Sequence, residues 1–164
     1  MALLTVHAAW SADREHQVKA TFIYNFAKFI DWPDGLGGTG SDFVVAVYGT
    51  DSYGSEIDRV LRGKSIAGHR VVVRKLRSDD EIHGCRILVT GAGASDRVEK
   101  LARLCKSLGI VMVGESPDFA ERGGTIGFEV DESRVRFDVN LAAARAAGLT
   151  VSSKMLSLAK RVYR

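Results

Sequence analysis

The chain has 164 residues, the length of one domain and enough to bury a core without a metal or disulfide staple. Hydrophobic residues make up 46% and charged residues 26%, ordinary values for a globular chain. The net charge of +3 is scattered, and the densest basic cluster, Arg70–Arg77, alternates with Val and Leu like the polar face of a strand. This excludes the concentrated basic footprint of a nucleic-acid binder, and no run approaches the ~18 apolar residues of a membrane span.

Met1–Trp10 is short and apolar, and Ala9-Trp10-Ser11 has the small-x-small form of a cleavage site. Yet no Lys or Arg precedes it and His7 interrupts it, so alone it fits a frayed tail equally well. Asp13–Gln17 is polar and expected to be loose. Val18, Phe22, Phe26 and Phe29 then recur at helical spacing, widened by Ile23, Ala27 and Ile30, and predict an amphipathic helix. Asp31 to Pro33 ends it. Core packing explains this aromatic stripe better than a partner groove does. Asp34–Ser41 reads as a flexible connection.

Phe43–Tyr48 is a strand apolar enough to be buried on both faces. Gly49–Ser52 turns into a helix ending near Arg62-Gly63, and His69–Leu76 is a strand with one wet face. After the polar loop Ser78–Gly84 come a strand (Arg86–Thr90), a helix (Ser95–Leu108), a strand (Ile110–Val113) and a helical turn (Ser116–Arg122). Thr125–Val130 and Arg134–Val139 alternate on either side of Asp131-Glu132-Ser133, the pattern of an antiparallel hairpin. A short alanine-rich helix from Asn140 closes at Gly148. Ser152 or Ser153 then caps a last helix through Tyr163, apolar on most sides and so expected to be buried. The order predicts a single-domain α/β sandwich with helices on both faces of a mixed sheet. That sheet is parallel in the middle and antiparallel at the edge formed by the C-terminal hairpin.

The most tempting chemistry is the turn Gly91-Ala92-Gly93-Ala94-Ser95-Asp96 between a strand and a helix. A dinucleotide fingerprint needs a third glycine where Asp96 stands, and that carboxylate occupies the helix end where a phosphate would sit. Asp96 reads better as an N-cap boxed with Glu99, leaving Gly91, Gly93 and Ser95 as a weak ligand-turn candidate. Cys85 opens a strand and Cys105 closes the following helix, so both lie at one end of the layer. They form either a disulfide, reachable if the Cα atoms approach within about 7 Å, or two buried thiols. His7, His16, His69 and His83 show no metal-ligand spacing. Val151 stands where a Ser–Lys nucleophile pair with Lys154 would need serine. Asp51, Glu56 and Asp58 read as a solvated helix face. No nucleophile, base and oxyanion site assemble, so neither an enzyme nor a cofactor is expected.

The segments that carry a family likeness are GGTIGFEVDESRVRFDVN (123–140), the AAxxAGL run from Ala143 to Leu149, and SSKMLSLA (152–159). VKATFIYNFAKFIDWP (18–33) matches at the other end, with FVVAVYGTDSYG and HGCRILVT in order between. Over roughly residues 17 to 162 the chain closely resembles the YfiR-like family. The resemblance implies a periplasmic regulator that binds the sensing domain of an inner-membrane diguanylate cyclase and holds it inactive, restraining cyclic di-GMP and biofilm formation. It also implies a homodimer, responsive to an outer-membrane partner or redox signal. Residues 1–16 then become a signal-peptide remnant or disordered tail before a domain spanning 17–164. The alternative is a ligand-binding sensor module serving a histidine kinase or transport system. That reading predicts an apolar pocket with convergent polar groups, the Gly91–Ser95 turn being the candidate rim.

Overall fold

The computed structural model describes residues 11–33, 41–49 and 52–164. The leader-like Met1–Trp10, most of the glycine-rich connection and Asp51 lie outside them. Helix α1 spans Ala12–Phe29. Ser11 accepts a hydrogen bond from the Arg14 amide, and Asp13 and Glu15 face the positive end of the helix dipole. Asp13–Gln17 is therefore helical, not loose.

Then follow β1 (Ile30–Asp31), β2 (Phe43–Tyr48), α2 (Ser52–Leu61), β3 (Ser65–Ile66), β4 (His69–Leu76) and β5 (Ile87–Thr90). The second half comprises α3 (Val98–Leu108), β6 (Val111–Gly114), β7 (Ile126–Asp131), β8 (Arg134–Asn140) and α4 (Leu141–Ala146). It ends with β9 (Thr150–Val151), α5 (Ser153–Leu158) and β10 (Arg161–Tyr163). Eight strands make one sheet in the order β10-β8-β7-β6-β5-β2-β4-β3, and β1 and β9 form a small antiparallel pair.

The five strands from β4 to β7 run parallel, and alternate residues face opposite layers. Val45, Val47, Ile87, Val89, Val111 and Val113 pack in the core shared with α1 and α2, whereas Ala46, Leu88 and Met112 pack in the one shared with α3. The hairpin pairs Phe128 with Phe137. Its turn puts Glu132 and Ser133 at φ +46° and +62°, the primed geometry that matches strand twist. Phe26 from α1 meets the Phe137 ring edge-on at 4.8 Å, so the opening helix docks on the closing hairpin.

No α-helix covers the connection from β6 to β7. Phe119 fills that place instead, its ring lying where a Cβ on Gly114 or Gly124 would fall. Those two glycines let the ring reach the sheet; an alanine at either would force it out.

Three local expectations are corrected. The last helix stops at Leu158, which is 60% exposed, and of its residues only Met155 is buried. Residues 161–163 form a strand parallel to β8, so the hairpin does not sit at the sheet's edge. Asp96 lies in a 3-10 stretch, Ala92–Arg97, and Arg97, not Asp96, occupies the N-cap of α3.

Candidate functional site

Lys19 stands one helical turn before Ile23 on the inward side of α1 and is buried. A buried ammonium requires partners. Glu15 supplies one at 2.5 Å from the preceding turn, and Glu115, just past β6, supplies the other. Beside this triad the Tyr53 ring stacks on His16 at 5.0 Å. Burial first, then Glu115 and Glu15, push the Tyr53 hydroxyl well above its ordinary range.

The triad forms one wall of a cleft of about 480 Å³. The connection after β6 supplies Ser116 and Asp118, β7 supplies Gly127 and Glu129, β8 supplies Asp138, and β10 supplies Arg161 and Tyr163. Gly127 pairs with Asp138 across the hairpin. A Cβ at Gly127 would lie 3.4 Å from the Ala120 nitrogen, so glycine lets the connection lie close over the strands. Asp138 is buried, and its Oδ2 accepts from Arg161 Nε at 3.0 Å and Nη2 at 2.7 Å. This pair holds the Arg161 guanidinium above its usual range.

Among the described residues, three buried side-chain polar atoms lack a hydrogen-bond partner: Asp138 Oδ1, Ser116 Oγ and the Tyr53 hydroxyl. Native interiors leave few such atoms unpaired. Here two line the cleft and the third feels the carboxylates of its wall.

A sequence signature of proteins described as YfiR/HmsC-like matches residues 16–160, nearly the whole chain. The chain belongs to the YfiR/HmsC-like family. Members are periplasmic regulators of diguanylate cyclases and are generally not enzymes. No curated protein is similar enough in sequence to match this YfiR/HmsC-like chain. Several solved structures share its fold, including two at low sequence identity. A conserved domain protein from Vibrio cholerae is 10% identical with a TM-score of 0.60, over 87% of this chain and 59% of that one. The ABC domain from Streptococcus pneumoniae in complex with L-Trp is 12% identical with a TM-score of 0.58, over 90% and 61%. The chain thus spans about three-fifths of the length of either structure.

The residues singled out from the YfiR/HmsC-like sequence lie beside the cleft or away from it. Of the Gly91–Ser95 turn only Ala92 lines the cleft. Gly91, Gly93 and Ser95 sit where the chain leaves β5 beside the end of β2, the switch point of the parallel strands. That crevice is filled. Ala94 packs against Gly49, Arg97 lies over the Tyr48 ring at 5.1 Å, and Arg97 and Lys100 share Asp79 at 2.7 and 2.6 Å. Arg122 holds both the Ser95 carbonyl, at 2.6 Å, and Glu99, whose carboxyl it draws down to about 2.

Both cysteines are free, buried and part of the α3-side core. Burial pushes the Cys85 thiol up to about 12, and burial followed by repulsion from Cys85 pushes Cys105 higher still. The histidines are dispersed: His16 is on Tyr53, His69 Nδ1 is 2.7 Å from the Ser41 carbonyl, and His83 is exposed. The described residues contain no group of three side chains suited to a metal.

Sequence reasoning missed Lys19, Ser116, Asp138 and Arg161. A lysine at core spacing within an apolar stripe was a usable signal for the first. Asp138 gave none, because it shares the strand face of Arg134 and Arg136, which are exposed. The β6–β7 connection and β10, both distant in sequence, cover it.

Proposed function

We propose that this chain is a periplasmic repressor. It binds the periplasmic sensing domain of an inner-membrane diguanylate cyclase and holds that enzyme inactive, lowering cyclic di-GMP and restraining biofilm formation. Membership of a family of cyclase regulators across residues 16–160 is the observation that carries this reading. Repression by contact needs no reacting groups. It needs a difference in affinity for the two conformers of the partner. A preference of roughly 100-fold converts an evenly balanced cyclase to about 99% inactive. The working unit is a homodimer, with an outer-membrane protein relieving repression. Cys85 and Cys105, neighbours in one core, join as a disulfide in an oxidising periplasm.

Deleting the gene is expected to raise cellular cyclic di-GMP severalfold, and affinity-tagged protein to recover a membrane cyclase. Unchanged cyclic di-GMP with no cyclase recovered defeats the proposal.

A second reading, a ligand-binding sensor partnered with a histidine kinase or transport system, is favoured by one observation: a roomy cleft is lined by Asp138 and Ser116, each with an unpaired oxygen, and by Ala92 of the Gly91–Ser95 turn. The related fold of a Streptococcus pneumoniae domain in complex with L-Trp is compatible with it. An adjacent gene encoding a membrane kinase favours this reading; one encoding a membrane cyclase favours the first.

A further inference from the structure

We propose that the cleft between α1, the β6–β7 connection and β10 binds a small organic cation: a protonated amine seated on Asp138 Oδ1 and Ser116 Oγ, its apolar body against Phe119 and Tyr163. Four observations lead there.

The cleft, at about 480 Å³, lies within the range of small-molecule sites. Five carboxylates line it against two cationic groups, so its field draws positive charge. Both cations are already committed, Lys19 to Glu15 and Glu115, Arg161 to Asp138 and Glu129. An anionic ligand would have to compete with the carboxylates already on those cations.

The groups with unused hydrogen-bonding capacity point the same way. Asp138 is 7% exposed and Ser116 4%, and each keeps one oxygen without a partner. A carboxylate oxygen only accepts and a hydroxyl can accept, so an ammonium, which offers three donors, satisfies both. No set of three metal-ligating side chains occurs among the described residues, which favours an organic cation over a bare metal ion. Phe119 and Tyr163, on the Asp138 face of the sheet, supply the apolar wall.

The test titrates the full chain with cyclohexylmethylamine, protonated at neutral pH, and with its neutral isostere cyclohexylmethanol, following backbone amide chemical shifts. The amine is expected to saturate and to shift residues around Ser116 and Gly127, binding about tenfold or more tightly than the alcohol, as a charge-assisted bond requires. Ser116→Ala removes one oxygen without threatening the fold and is expected to weaken the amine about threefold to tenfold, leaving the alcohol unchanged. Asp138→Asn weakens it further, while Asp58→Asn on α2, outside the cleft, changes nothing. Equal affinity for amine and alcohol, no saturation by about 10 mM, or full amine affinity in Ser116→Ala overturns the proposal. It is independent of the cyclase reading: a chain that binds the amine yet leaves cyclic di-GMP untouched keeps this inference and loses the other.

Discussion

Glu99 illustrates how a residue's role is decided by a partner distant in sequence. Three residues past Asp96, it has the spacing of a capping box, and local reasoning assigns it there. The structure instead brings Arg122, on the β6–β7 connection, to within 2.6 and 2.9 Å of its two oxygens. The same guanidinium also takes the Ser95 carbonyl, so one side chain ties the connection to the start of α3. The Arg122 hydrogen bond is the main cause of the Glu99 carboxyl's low value of about 2. A group depressed on folding stabilises the folded state above its unfolded pKa, near 4.3, and loses that contribution as pH falls through the folded value. The stability gap between wild type and Glu99→Gln should therefore be constant above about pH 5 and close between about pH 4.5 and pH 2. Because the pair is solvent-exposed, the gap is small. Carboxyl resonances resolve it better: in Arg122→Gln the Glu99 midpoint should return toward about 4.3.

Elements with a long, strong period were legible; those made by tertiary contact were not. The aromatic spacing of α1 and the alternation of β7 and β8 survive without neighbours, and the observed register, Phe128 opposite Phe137, follows from that alternation. Strand β10 is different. Three residues are too few to show a period, and the helical pattern from Ser153 continues through them on paper. What redirects the chain is Lys160, whose amide donates to the Phe137 carbonyl at 2.8 Å, and then Arg161, which locks onto Asp138. The cleft was illegible for the same reason, since it needs β10 as a wall. Removing Arg161 tests this dependence. Arg161→Met keeps the stem but leaves a buried carboxylate unpaired and should lower the urea midpoint, by less than the loss of a fully buried pair would because the Arg161 side chain is 52% exposed. Adding Asp138→Leu should restore most of the lost urea midpoint, a coupling that a merely crowded site would not show.

At the scale of the whole molecule the sheet divides two unequal cores. The larger holds α1, α2, the hairpin and Met155; the smaller holds α3, Phe119 and both cysteines. The α3 layer is the thinner one, closed by the Phe119 plug in place of a second helix. The cysteines make its opening measurable. With the Cys85 thiol at about 12, the reactive thiolate at pH 8 is only about one part in ten thousand, and burial removes access as well. Alkylation of the reduced protein by iodoacetamide should therefore be negligible in the native state and proceed only through opening. If the α3 layer opens by itself, labelling outruns global unfolding while amide exchange in α1 stays slow. If the two layers are cooperative, labelling and α1 exchange share one free energy. The first outcome is expected from the thinner packing. The same mass spectrum reports the proposed bond, because periplasmic protein joined at Cys85 and Cys105 is two hydrogens lighter and takes no label even in denaturant.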